Sequence, residues 1–359
     1  MSSPPVWKNP ARRQAAVARE RPANNLPVPI RRSGLTPVWI IETLVSGGPN
    51  RPNLMNRRTF LWSLPMSAAA ASARSSTDTP PLFRFGVIAD CQFADIPDHE
   101  QWNRRFRLSP DKLRAAVADL NTRDLDFVVN LGDTIDQDFA SFDVVLPIFA
   151  SLKAQVRHCL GNHDYDVADG QRAAVAGKLG LTSGHYSWEA RAWRFIVLNG
   201  CAVSQFGHEP DTPGRAEATQ ILTAAEGKLA PWNGALGQPQ RDWLAAELVA
   251  ARAAGQRVLV FCHWPVFPAD PHNLWDAADV LNVLQPHRDI VAAWMNGHNH
   301  AGNYGESDGI HFLTFKGMVD TRDNCWAEVS VFPDRLVVDG FHREPDRQLA
   351  VAPGGKSEQ

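Results

Sequence analysis

Seven side chains in this sequence are of types that hold divalent metals: Asp90, Gln92, Asp133, Asn162, His263, His298 and His300. Two carboxylates, two amide oxygens and three imidazoles together suit first-row divalent cations. One metal needs far fewer donors. Two cations about 3.5–4 Å apart need a ligand that reaches both, and a carboxylate with two oxygens is the natural bridge. Two carboxylates against two divalent ions leave the site positive, so it would draw in a phosphate or diphosphate without a basic patch. The same ions would neutralise the phosphate oxygens and activate a water near neutral pH. Taken singly, each cluster is weak, because a Gly-Asp pair after a strand is usually a turn and a His-x-His is often structural.

These residues need elements to hold them, and the chain supplies short β-rich runs that end in polar clusters and alternate with helical segments. That is the pattern of an α/β layered domain. The runs 83–89, 126–131, 155–160, 257–262 and 290–295 lead into Asp90-Cys91-Gln92, Gly132-Asp133, Gly161-Asn162-His163-Asp164, His263-Trp264-Pro265 and Gly297-His298-Asn299-His300. Polar clusters at successive strand ends predict a sheet edge that gathers distant residues around one site. Ser109-Pro110 caps a helix with Leu113, Ala116, Val117 and Leu120 on one face. Residues 185–190 and 193–198 read as a hairpin, and 200–237 as a long polar loop. Trp243, Leu244, Leu248 and Ala251 form a core stripe on a helix from about Gln238, and the runs 310–315, 326–332 and 336–341 a second set of strands.

The order Asp-x-Gln, Gly-Asp, Gly-Asn-His-Asp, His, Gly-His-x-His resembles the calcineurin-like metallophosphoesterase family over most of residues 83–300. The resemblance implies an α/β/β/α sandwich, two mixed sheets flanked by helices. It implies that Asp90, Gln92, Asp133 and His300 hold one metal and Asp133, Asn162, His263 and His298 the other, with Asp133 bridging. His163 would steady the transition state or protonate the leaving oxygen. Many members of the family carry His where this chain has Gln92, and a harder oxygen donor favours Mn²⁺ or Mg²⁺ over zinc, with iron also possible. Asn299 stands where most have Thr or Ser.

Within the family, 86–95, 232–236, 263–268 and 331–334 look like the manganese-dependent ADP-ribose/CDP-alcohol diphosphatases. That similarity implies hydrolysis of a diphosphate bridge to a nucleoside monophosphate and a phosphorylated sugar or alcohol. Trp102, Phe206, Trp232 and Trp275 are candidates to stack a nucleobase, although such residues are more often core. Arg104, Arg105 and Arg107 could reach phosphate, but a solvated helix start explains them more simply. The alternatives are a broad phosphomonoesterase or phosphodiesterase on the same metals, and a metal-free scaffold protein.

At 359 residues, 44% hydrophobic and 21% charged, the chain can bury an enzyme-sized core. A net charge of -3 offers no stripe for nucleic acid and no field for an anionic membrane. No stretch reaches the roughly 18 apolar residues of a spanning helix, so stable membrane insertion is not expected. The five cysteines lack CxxC spacing and read as buried apolar residues. Residues 1–54 have a disordered composition or are an upstream extension of the true start at Met55. Residues 55–73 resemble a twin-arginine export signal with Ala71-Ser72-Ala73 as its cleavage site. Use of that signal and its export machinery would make the protein periplasmic, and otherwise it would be cytoplasmic. A linker at 74–81, a catalytic domain at 82–345 and a solvated tail at 346–359 complete the expected organisation.

Overall fold

The computed structural model describes residues 79–351. The expected extension at 1–54, the signal at 55–73, the linker up to residue 78 and the segment 352–359 lie outside the described residues. In chain order the elements are β1 Phe83–Ile88, α1 Ser109–Leu120, β2 Phe127–Asn130, α2 Ser141–Phe149, β3 Gln155–His158, α3 Val175–Lys178, β4 Tyr186–Ala190, β5 Trp193–Val197, α4 Pro213–Ala224, α5 Gly237–Ala253, β6 Arg257–Phe261, α6 Ala277–Leu284, β7 Val291–Asn296, β8 Asn303–Ser307, β9 Ile310–Thr314, β10 Cys325–Val331, β11 Arg335–His342 and β12 Arg347–Ala350.

Two six-stranded sheets result, ordered β12-β11-β10-β1-β2-β3 and β4-β5-β6-β7-β9-β8. Alternation along the strands decides how they pack, since successive side chains point to opposite faces. Phe85, Val87, Phe127 and Val129 from the first sheet join Phe195, Leu259, Phe261 and Met295 from the second in one core between the sheets. Each such buried side chain contributes about 1.5–3 kcal/mol. The intervening residues Ile88, Val128, Val258 and Val260 face outward into the helix layers. There α1 buries Leu113, Ala116, Val117 and Leu120, and α5 buries Leu244, Leu248 and Ala251. The fold is thus an α/β/β/α sandwich. All five cysteines are buried and free. Among the described residues no helix is long and apolar enough to cross a membrane.

Four expectations need correction. The runs near 326 and 336 do not build a second set of strands with 310–315. β10 and β11 return to pair antiparallel beside β1, while β9 lies parallel to β7 in the other sheet. Sequence order carries no register, so the pairing partner of a C-terminal strand is open until the sheets form. The polar loop contains α4, begun by Pro213 at its first turn, a position where a missing N–H costs nothing. The helix at 109 starts on Ser109 itself, with Leu108 as its cap residue. The solvated tail starts too early: Arg347–Ala350 pairs with β11, because Leu349 and Val351 find buried positions there.

Candidate metal centre

β1, β2 and β3 run parallel, and so do β6 and β7 in the second sheet. Loops at the carboxyl ends of parallel strands are where α/β folds bind ligands. The expected single sheet edge is therefore two. Loops after β1, β2 and β3 carry Asp90 and Gln92, Asp133, and Asn162 with His163, while loops after β6 and β7 on the facing sheet carry His263, His298 and His300. Face-to-face sheets lie about 10 Å apart, within reach of side chains from both.

The groups converge. Asp133, His263 and His298 place one ligand atom each within 4.8 Å of one another, and Asp90, Asp133 and His300 do the same. Asp133 belongs to both sets. Asp90, Asp133 and His263 are fully buried.

Hydrogen bonds assign the imidazole tautomers. His263 Nδ1 donates to the Leu131 carbonyl at 2.8 Å, and its Nε2 lies 3.2 Å from Asp133 Oδ2. His298 Nε2 donates to Asn233 Oδ1 at 2.8 Å. Its Nδ1 then faces His263 Nε2 across 3.2 Å, close enough for one cation to take both nitrogens. Burial and the neighbouring His263 push His298 well below the ordinary imidazole value, so it is neutral and able to ligate. His300 turns Nδ1 to Asp320 Oδ1 at 2.9 Å and Nε2 to Asp90 Oδ1 at 3.3 Å.

The amide oxygens complete the pattern. Gln92 Oε1 and Asn162 Oδ1 are buried with no hydrogen-bond partner, each at a desolvation cost of about 1–3 kcal/mol. Gln92 is held by its other end, where Nε2 donates to Asp133 Oδ2 at 2.8 Å. The donors present fit two hard-to-borderline cations, since Gln92 Oε1 and Asn162 Oδ1, two of the buried oxygens without partners, are of the kind such ions take. The backbone is constrained as well. Asp90, Gln92, Asp133 and His298 have φ of 53°, 45°, 51° and 67°. That left-handed region is costly for side chains of this size, and such strain concentrates at functional sites.

Several positioning residues stand outside the ligand set read from the sequence. Asp164 locks two ligand loops together, accepting from Thr134 N at 2.8 Å and Gly161 N at 2.9 Å. Lys112 is buried and donates to the carbonyls of Met318, Asp320 and Thr321 at 2.6, 2.9 and 2.7 Å, fixing the loop that carries Asp320. Asp136, Asn233, Asp320 and Lys112 are lone polar residues whose partners lie far along the chain, and only Asn233 falls in a segment that the family resemblance marks.

His163 donates its backbone N–H to Asp133 Oδ1 at 2.8 Å, and its Nδ1 lies 3.1 Å from Asp136 Oδ1. Burial opposes the imidazolium, but the carboxylates of Asp136 and Asp133 outweigh it and raise the group to about 9. The ring thus favours its charged form, with Nδ1 turned to Asp136. His163→Gln is expected to lower kcat by roughly 10²-fold or more while KM and metal content stay near wild type. Steady-state kinetics beside metal analysis checks this, and an unchanged kcat would reduce His163 to a loop contact.

The four aromatic candidates divide. Phe206 stacks on Trp264 with centroids 6.0 Å apart. Trp275 packs on Val203, Ala218 and Ala235 and spends its N–H on the Ala230 carbonyl at 2.9 Å. Both are packing residues. Trp102 and Trp232 are 45% and 47% exposed. Trp232 adjoins Asn233, the partner of His298, and the Trp102 segment is bridged to Asp320, the partner of His300, through Arg104.

A sandwich that brings two acid and imidazole groups together at its strand ends, joined through one shared carboxylate, is the framework of a dimetal phosphoesterase. Residues 83–302 match the calcineurin-like phosphoesterase family, and the chain belongs to it: it is a metal-dependent phosphoesterase. It is 30% identical over 320 residues to a manganese-dependent ADP-ribose/CDP-alcohol diphosphatase of Danio rerio, covering 76% of this chain and 99% of the relative. The Mus musculus diphosphatase of the same name is 28% identical, over 74% of this chain and 93% of its own length. Among solved structures, a dimetal phosphatase from Danio rerio superposes with a TM-score of 0.69 at 28% identity, covering 76% of this chain and 100% of that chain.

Proposed function

We propose that this chain hydrolyses the diphosphate bridge of nucleoside diphosphate-linked small molecules such as ADP-ribose or CDP-alcohols, using two divalent cations with Mn²⁺ favoured. Asp90, Gln92, Asp133 and His300 would hold one ion, and Asp133, Asn162, His263 and His298 the other. The observation that carries this reading is the sharing of Asp133 between two buried ligand groups, and the diphosphatases among its relatives support the choice of substrate. Two bound cations would supply charge neutralisation at the phosphate oxygens and lower the pKa of an attacking water.

The protein's own groups do the rest. Asp133 holds both halves of the site in register, and its other contacts, to Gln92 and the His163 backbone, fix its plane. His163 offers a proton at Nε2 to an oxygen of the phosphoryl group under attack, with Asp136 holding the ring. Attack at one phosphorus moves the bridging oxygen onto the other phosphate, a leaving group that needs little protonation, so hydrogen bonding by His163 suffices. Trp232 stands exposed beside Asn233 as a platform for a base or another planar group, whereas the Trp102 ring is already stacked on His99.

The test is release of AMP from ADP-ribose by the purified chain with added Mn²⁺, run beside CDP-choline and an aryl phosphodiester. Preferred cleavage of the nucleotide diphosphates is expected. Cleavage of the aryl ester alone would keep the phosphoesterase and remove the substrate.

A further inference from the structure

Three arginines precede α1, and the structure treats them differently. Arg105 donates to Asp98 at 3.3 Å and to Asn103 at 2.6 Å, and also pairs with Glu100. Arg107 donates to Asp95 at 2.6 Å. Arg104 has no carboxylate at ion-pair distance among the described residues. The residue is half-buried, and its guanidinium carbon lies 5.4 Å from the centre of the exposed Trp102 ring.

The backbone pins this arginine beside the metal centre. Val319 N donates to the Asp90 carbonyl at 2.9 Å, Arg105 N donates to the Val319 carbonyl at 2.9 Å, and Thr321 N donates to the Asn103 carbonyl at 2.7 Å. Arg104 itself bridges Asp320, whose carboxylate orients His300. Two backbone hydrogen bonds thus join its neighbour to a candidate ligand. A half-buried cation with no carboxylate at ion-pair distance gains from an arriving anion, and a guanidinium fork matches phosphate oxygens two at a time.

We propose that Arg104 is a substrate-binding residue that takes the phosphate not under attack in a diphosphate substrate, on the His300 side of the centre. It is the group that makes the site prefer a diphosphate to a single phosphate ester. The assignment rests on the diphosphate reading above. The solvated helix start that the sequence suggests holds for Arg107 alone.

The experiment compares kcat/KM for ADP-ribose with that for an aryl phosphodiester in wild type, Arg104→Met, Arg104→Lys and Arg107→Met, each checked for melting temperature and Mn²⁺ content. Arg104→Met is expected to lose roughly 10- to 100-fold on ADP-ribose, mostly in KM, and much less on the aryl ester. Arg104→Lys should recover part of the loss, since it keeps the charge and loses the fork. Arg107→Met should leave both substrates as in wild type. Inhibition by inorganic pyrophosphate should weaken in step with the ADP-ribose loss. Wild type that prefers ADP-ribose together with an unchanged preference in Arg104→Met and Arg104→Lys overturns the role of Arg104 and leaves the diphosphate reading standing. Wild type that ignores ADP-ribose overturns both.

Discussion

Asp133→Asn should leave a chain that binds at most one of its two metals and hydrolyses its substrate at least ~10³-fold more slowly, the scale of losing even one preorganised electrostatic contact. The substitution keeps the shape and removes the charge. It also cannot satisfy its neighbours. Oδ2 faces Gln92 Nε2 at 2.8 Å and Oδ1 faces the His163 backbone N–H at 2.8 Å, so an amide NH₂ at either position meets another donor. Burial alone would raise this carboxyl, yet the charges of His263 and His163 hold it well below the usual carboxylate range, which marks how strongly the surroundings require an anion. Metal content by elemental analysis, beside kcat, reads the outcome. Two ions per chain with near-normal turnover would show that the two ligand groups are not joined through this residue.

Gly161→Ala is expected to be nearly as damaging, although it adds one methyl group and removes nothing. A Cβ there would stand 2.1 Å from Asp133 Oδ1 and 2.4 Å from Asp133 N. Neither can yield: the carboxylate is held from several sides, and the loop bearing residue 161 is tied by Asp164. The strain would displace Asp133, Asn162 or both, and a shift near 1 Å in a positioned group costs on the order of 10²-fold in rate. Overpacking of this kind also destabilises by about 1–3 kcal/mol. Gly297 meets the same limit on the other sheet, its added Cβ falling 2.5 Å from Asp90 Oδ2. Gly170→Ala is the comparison, since a Cβ added there meets no atom within 4 Å and the penalty comes from the φ of +87° alone. Wild-type kinetics and Mn²⁺ affinity in Gly161→Ala would mean that the loop is softer than its hydrogen bonds imply.

How much of this was legible beforehand follows from the range over which each interaction acts. The strand runs, the α1 and α5 faces and the order of the ligand residues are local: side-chain type and a period of two or 3.6 residues carry them. The chain by itself therefore determined that two carboxylates, two amides and three imidazoles would stand at strand ends, and that these suit divalent cations. It left α4 unread because Pro213 marks a helix start only when the following residues have somewhere to pack. It left β12 unread because four residues gain from edge pairing only once β11 is present. The family resemblance already implied that Asp133 is common to both ligand groups, whereas tertiary structure alone decided which sheet each strand joined. It also decided that Asn233 and Asp320 set the imidazole tautomers, and that Arg104, of three similar arginines, has no carboxylate at ion-pair distance among the described residues. Each of these depends on a distance of a few ångströms between residues far apart in sequence, and no local pattern encodes such a distance until the two sheets close on each other.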